Sequence, residues 1–220
     1  MEDKFIPYHK KELSNNEQLR KSEEFYLWLN ERRSIRDFSD KPVDIRVIEN
    51  CINAASTAPS GANKQPWTFC VVSNPKTKRQ IREAAEKEEY ESYTNRMSER
   101  WLKDLEQFET NWEKPFLEIA PYLIIVFKRV YEIENNEKIN NYYVNESVGL
   151  ATGVLLTAIH QAGLVALTHT PSPMNFLTKV LNRPENERPF LLIPVGFPSD
   201  NAKVPNIHRK KLNEVMIKYE

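Results

Sequence analysis

Four short apolar runs, Thr68–Val72, Tyr122–Phe127, Leu164–Thr168 and Phe190–Gly196, lie far apart in the chain with longer, helix-like stretches between them. Runs this short, bounded by turn residues, make buried strands rather than helices. So few strands have to be covered by the helices that separate them, which predicts an α+β fold with a small mixed sheet surrounded by helices. A chain this helical around so small a sheet is also expected to complete its core by pairing with a second copy.

The apolar spacing predicts a first helix over 16–32, with Phe25, Leu27, Trp28 and Leu29 on one side. A second helix should start near Pro42 and carry Val47, Ile48, Cys51, Ile52 and Ala55 on one face. Asn74-Pro75 opens a charged helix that runs toward Glu91. From Ala84 to Pro115 the chain mixes Glu, Lys, Tyr and Trp over a weak apolar face, with no glycine. Such an insertion either packs on another element or covers a site as a lid. Polar residues follow Phe127 up to Tyr142, then a helix over 146–162, a short one over 175–181, and a polar, partly helical tail from Val204. With no repeat or linker, residues 1–220 read as one domain, with 1–24 as an extension and 84–115 as the insertion.

Composition narrows the function. Lys plus Arg and Asp plus Glu are both 31, so no excess charge recruits nucleic acid or an acidic membrane. The mainly apolar stretch Val148–Leu167 contains Thr152, Thr157, His160, Gln161 and three glycines, which suits close helix packing rather than lipid. Two cysteines and no leader-like start lead us to expect a soluble protein of the reducing cytoplasm. The five glycines form no dinucleotide or triphosphate loop. Four histidines and the cysteines Cys51 and Cys70 have no zinc spacing, so no metal is expected.

Two clusters remain. Arg32-Arg33-Ser34-Ile35-Arg36 gathers three guanidinium groups and a hydroxyl where a helix gives way to extended chain. It is either a phosphate site or a solvated basic helix end. Glu89 and Tyr93 are four apart and share a helix face. They are either a surface pair or, with Lys114 folded back over them, a carboxylate, phenol and ammonium that complement an amino-acid zwitterion. Arg209 alone is assigned nothing.

The first cluster, followed by Ala58-Pro59-Ser60-Gly61-Ala62-Asn63-Lys64-Gln65-Pro66-Trp67, resembles the opening of the nitroreductase superfamily of FMN proteins. The insertion, with Glu88-Glu89-Tyr90-Glu91-Ser92-Tyr93 and Thr110-Asn111-Trp112-Glu113-Lys114, is similar to that of the iodotyrosine deiodinases within it. Thr168-His169-Thr170-Pro171 and Leu191-Leu192-Ile193-Pro194-Val195-Gly196-Phe197-Pro198 continue the resemblance in order, from about residue 25 to the end.

That resemblance implies a domain-swapped homodimer with FMN between its subunits, of a soluble bacterial type. It puts Arg32, Arg33, Ser34 and Ile35 along the phosphate and ribityl chain, Arg36 at the pyrimidine edge and Arg209 on the phosphate. Ser60 and Gly61 come to the cofactor from their loop, and Thr168, His169 and Thr170 lie beside the ring. Thr170 would donate to N5, favouring one-electron over hydride transfer. Where animal members have a threonine this chain has His169, a change that a backbone contact would survive. Glu89 would take the substrate ammonium, Tyr93 and Lys114 its carboxylate, and the Ala62 amide its phenolate. The implied activity is reductive deiodination of mono- or diiodotyrosine to tyrosine and halide, with electrons brought by a separate flavin or NAD(P)H reductase. A general NAD(P)H-dependent nitroreductase or flavin reductase on the same fold is the alternative, and a flavin- or halotyrosine-binding module without turnover a third reading.

Overall fold

Ser14 opens the first helix, α1 (Asn15–Asn30), through a capping box: its hydroxyl accepts from the Glu17 amide at 3.4 Å, and the Glu17 carboxylate accepts from the Ser14 amide at 2.9 Å. The computed structural model describes residues 4–220, and the chain divides into two units, Met1–Arg32 and Arg33–Glu220. None of the α1 side chains is buried, and Phe25, Tyr26 and Leu27 are exposed.

In the second unit Asp44 caps α2 (Ile45–Ala55), accepting from the Arg46 amide at 2.9 Å. The helix therefore starts three residues beyond the expected Pro42, because the carboxylate satisfies the first-turn donors. Strand β1 (Trp67–Val72) leads to α3 (Pro75–Glu91), which Asn74 caps and Pro75 starts. A π-helical turn (Ser92–Arg96), α4 (Glu99–Glu106) and α5 (Phe116–Ile119) bring the chain to β2 (Tyr122–Arg129). After it come β3 (Tyr131–Glu134), β4 (Glu137–Asn140), α6 (Val144–Gln161), β5 (Val165–Ala166), α7 (Asn175–Val180), β6 (Glu187–Gly196) and α8 (Leu212–Val215). The β3–β4 hairpin, read from sequence as polar connection, turns on Asn135 and Asn136, both at positive φ as a tight hairpin turn requires.

The sheet runs β1-β2-β6-β5 and every strand pair in it is antiparallel, not mixed as expected. Each long connection returns to the sheet end it left: β2 begins beside the end of β1 (Val72 opposite Leu123), and β6 begins beside the end of β2 (Arg129 opposite Glu187). The parallel pairing among the described residues is an isolated bridge between Ser34 and Ala166.

Alternate residues of β2 and β6 face opposite layers. Ile124, Val126, Ile193 and Val195 pack with Ile48, Cys51, Val148, Ala151 and Leu155 of α2 and α6. Leu123, Ile125, Phe127 and Leu192 pack with Ile81, Ala85, Leu117 and Leu177 of α3, α5 and α7. The sheet is thus buried on both faces, and the second layer fixes α3, from whose end the π-helical turn departs. Among the described residues no helix is long and apolar enough to cross a membrane.

Gly196 ends β6 against Pro121: a Cβ there would sit 2.5 Å from the ring Cδ. Gly196→Ala must push two backbone segments apart and should cost about 1–3 kcal/mol, read as a lower urea midpoint. An unchanged midpoint would show that this contact yields freely.

Candidate active site

The end of α3 and the segment that returns to α5 bring three of the anticipated side chains together. Lys114 Nζ lies 3.5 Å from Glu89 Oε2, and both side chains are almost inaccessible, 4% and 11% exposed. The same ammonium donates to the Asn111 carbonyl and to Thr110 Oγ1 at 3.4 Å, and stands 5.5 Å from the centre of the Tyr93 ring. Tyr93 OH donates to the Thr110 carbonyl at 3.4 Å. Glu86, one turn before Glu89, accepts from the Lys114 amide at 2.6 Å and from Arg82 at 2.7 Å, so the return segment is tied back to α3. Its i, i+3 spacing from Glu89 was the available sequence signal for it.

Burial dominates the electrostatics here. It raises the Glu89 carboxyl above its ordinary range, against the pull of Lys114, and depresses the Lys114 ammonium, against the pull of Glu89. The Tyr93 phenol is raised, again chiefly by burial. Arg36, half-buried over the Phe108 ring at 5.5 Å, is lowered by burial and raised by Tyr93. Two opposite charges are therefore held where water is scarce: Glu89 keeps unused acceptor sites, while the three N–H donors of Lys114 already face Glu89, Thr110 and Asn111, so an incoming carboxylate would displace one of them. Free energy is gained when a ligand brings both counter-charges, and a ligand with neither offers no such exchange.

Beside this cluster the segment Arg33–Arg36 runs along β5. The Ile35 amide donates to the Ala166 carbonyl at 3.2 Å and its side chain is in the core. Arg33 donates to the Pro205 carbonyl, four residues before Arg209. Arg32 closes the first unit, its amide donating to Leu29 at 3.2 Å. A cavity of about 480 Å³ opens at Arg36, lined also by Phe108, Lys203, Pro205 and Asn206, a size that suits a small ligand. Residues 168–170 alternate as a strand does: Thr168 and Thr170 are exposed and His169 is buried. The His169 amide donates to the Leu192 carbonyl at 2.9 Å and its carbonyl accepts from the Leu192 amide at 3.0 Å. Its ring stacks edge-on against Phe116, with Nε2 buried and without a hydrogen-bond partner.

The loop Ser60–Gln65 is strained. Ala62, Asn63 and Gln65 have φ of 48°, 53° and 47°, a conformation that costs an alanine about 1–2 kcal/mol. Ser60 Oγ accepts from the Gln65 amide at 2.9 Å, the Ser60 carbonyl from Asn63 and the Gly61 carbonyl from Lys64. The Ala62 amide has no acceptor among the described residues. What excludes a side chain at Gly61 is the chain itself, since a Cβ would meet the Tyr142 carbonyl at 3.0 Å. No hydrogen bond, ion pair or ring contact among the described residues joins this loop to the Glu89–Tyr93–Lys114 cluster. The donors Arg33, Ser34, Arg36, Thr168 and Thr170 fit a phosphorylated polyol carrying a heteroaromatic ring, with guanidinium forks for the phosphate and exposed hydroxyls for the ring edge.

Residues 29–197 match the model of the nitroreductase family. An iodotyrosine deiodinase of Haliscomenobacter hydrossis is 60% identical over 98% of this chain and 97% of its own length. One of Hydra vulgaris is 47% identical over 98% of this chain and 80% of its own length, and iodotyrosine deiodinase 1 of Homo sapiens 44% identical over 96% and 74%. A crystal structure of oxidised iodotyrosine deiodinase bound to FMN and 3-iodo-L-tyrosine superposes with a TM-score of 0.79 at 33% identity, covering 89% of this chain and 98% of that one.

Burial, and then the charges of Lys114 and Arg36, depress the His169 imidazole from the ordinary 6.5 to about 3. A group depressed on folding contributes stability that is present above pH 6.5 and lost as pH falls toward 3. Between pH 7 and pH 4.5 the loss should be about 2–3 kcal/mol. His169→Gln should remove that part of the acid sensitivity in urea unfolding; identical pH dependence in the two proteins would contradict the burial of a neutral ring.

Proposed function

The chain belongs to the nitroreductase family, in its iodotyrosine deiodinase branch, and we propose that it is an FMN-dependent enzyme that reductively removes halide from halogenated tyrosines, with mono- and diiodotyrosine as substrates. The observation that carries this reading is the buried Glu89–Lys114 pair under the Tyr93 ring. These groups match the ammonium and carboxylate of a free amino acid, a feature that a reductase of nitroaromatics or quinones does not need.

In this reading residues 84–115 form a lid. Glu89 takes the substrate ammonium, while Tyr93 and Lys114 take its carboxylate. With both charged ends bound, the lid closes and keeps water from the reacting ring. The Ala62 amide holds the phenolate oxygen. Arg32, Arg33, Ser34, Ile35 and Arg209 would hold the phosphate and ribityl chain of FMN, Arg36 its pyrimidine edge, and Ser60, Gly61, Thr168 and His169 its flanks. The Thr170 hydroxyl would donate to the ring. Reduced FMN supplies two electrons; with one proton they replace the carbon–iodine bond by carbon–hydrogen, and iodide leaves with the bonding pair. A separate flavin or NAD(P)H reductase restores the electrons.

We read the enzyme as a domain-swapped homodimer. Supporting this, no hydrogen bond, ion pair or ring contact among the described residues joins the loop that offers the Ala62 amide to the Glu89–Tyr93–Lys114 cluster, and in this reading a second copy supplies it. Gly149 and Gly153 of α6, with nothing within 4 Å of a built Cβ, leave that helix open to close packing by a second copy. Size-exclusion with light scattering should give twice the 25.8 kDa of one chain; a monomer that keeps full activity would overturn this.

Anaerobic, dithionite-reduced protein should release iodide from iodotyrosine, one per flavin. Thr170→Ala should lower that rate by roughly tenfold while leaving iodotyrosine affinity unchanged. Glu89→Gln should act mainly on KM, by tenfold or more at about 1.4 kcal/mol per decade. Flavin-loaded protein that reduces nitroaromatics but frees no iodide would favour the general reductase.

A further inference from the structure

We infer that Ser92 and Arg96 are positioning residues that couple the lid to Thr170, a step that rests on the deiodinase reading. Only Thr170 and Pro171 lie between two backbone anchors. On one side His169 exchanges both of its backbone hydrogen bonds with Leu192 of β6, in the middle of the sheet. On the other, the Ser172 carbonyl accepts from Ser92 Oγ at 3.3 Å and from the Arg96 guanidinium at 3.1 Å. The first anchor belongs to the rigid core and the second to the π-helical turn that carries Tyr93.

Among the described residues the turn has no other hydrogen bond to the body of the protein. Its remaining side-chain hydrogen bonds stay within the insertion and the end of α3: Tyr93 to Thr110, Thr94 to Tyr90, Asn95 to Glu91 and Arg96 to Glu88 at 2.8 Å. Ser172 is therefore where the turn holds the body of the protein by hydrogen bonds. Pro171 between the anchors is buried and has its φ fixed by its ring, so little freedom remains to absorb a displacement of Ser172. Thr170 is exposed and, among the described residues, makes no hydrogen bond of its own, so this short span holds it. When a ligand engages Glu89 and Tyr93, the turn is fixed, Ser172 is fixed with it, and the Thr170 hydroxyl is held in one place. When the lid loosens, the span is tied at one end only. Occupation of the amino-acid site thereby sets the residue that faces the flavin ring, and the Arg96–Glu88 pair keeps the guanidinium aimed at Ser172.

Amide hydrogen exchange on the oxidised FMN-loaded protein, which cannot turn substrate over, tests this. In the parent, iodotyrosine should slow exchange both in residues 92–96 and at Thr170 and Ser172. In R96Q, a change at an exposed position, and in S92A, the lid should still respond while the response at Thr170 and Ser172 falls by roughly three- to tenfold, the worth of one hydrogen bond. In turnover both variants should lose kcat with little change in KM. An undiminished response at Thr170 and Ser172 in both variants would overturn the coupling. If iodotyrosine slows nothing in the parent, the deiodinase reading fails separately. The ligand-free proteins then decide the coupling: faster exchange at Thr170 and Ser172 in the variants supports it, and identical exchange overturns it.

Discussion

A carboxylate and an ammonium enclosed together, Glu89 and Lys114, are the constraint around which this molecule is arranged. Taking both charges out of water is costly, and their mutual attraction recovers only part of that cost. Burial pushes each toward its neutral form while the other holds it charged. As a stabilising device the pair is poor. It suits the proposed role as a receptor, because a ligand carrying both counter-charges would replace one imperfect contact by several.

The fold explains how the pair is held. The antiparallel sheet, buried on both faces, anchors α3 through Ile81 and Ala85, and α3 carries Glu86 and Glu89 toward the segment that returns through Lys114. Glu86 fastens the Lys114 amide, so both members of the buried pair share one helix as their base. The same sheet, through Leu192, holds the strand that presents Thr168 and Thr170 outward. The Glu89–Lys114 pair and the exposed hydroxyls of Thr168 and Thr170 thus hang from neighbouring elements of one core, while the Ala62 amide stands apart on a strained loop. This separation is what supports the proposed pairing with a second copy.

Much of this was legible in the sequence, and the failures have physical reasons. Asn74-Pro75 marked the start of α3 because a capping side chain and a proline act locally. Apolar runs marked β2 and β6 because both faces are buried. The direction of the strands was not legible, since it depends on where fifty-residue connections return. The β3–β4 hairpin went unread because its strands are polar, although Asn135-Asn136 between Ile133 and Ile139 was a usable turn signal. That Glu89, Tyr93 and Lys114 lie together was anticipated from spacing and family resemblance. The bonds from Ser92 and Arg96 to Ser172 span about 80 residues and leave no local pattern. Nor did the sequence reveal that His169 turns inward between two outward threonines.

The most direct test compares two ligands that share a halogenated phenol and differ in the charged ends. Oxidised FMN-loaded protein is titrated with iodotyrosine and with 2-iodophenol, following quenching of flavin fluorescence. Two charge-assisted contacts, less the pair they replace, should make iodotyrosine bind at least about a hundredfold more tightly. Equal affinity for the two would contradict a receptor built on Glu89 and Lys114.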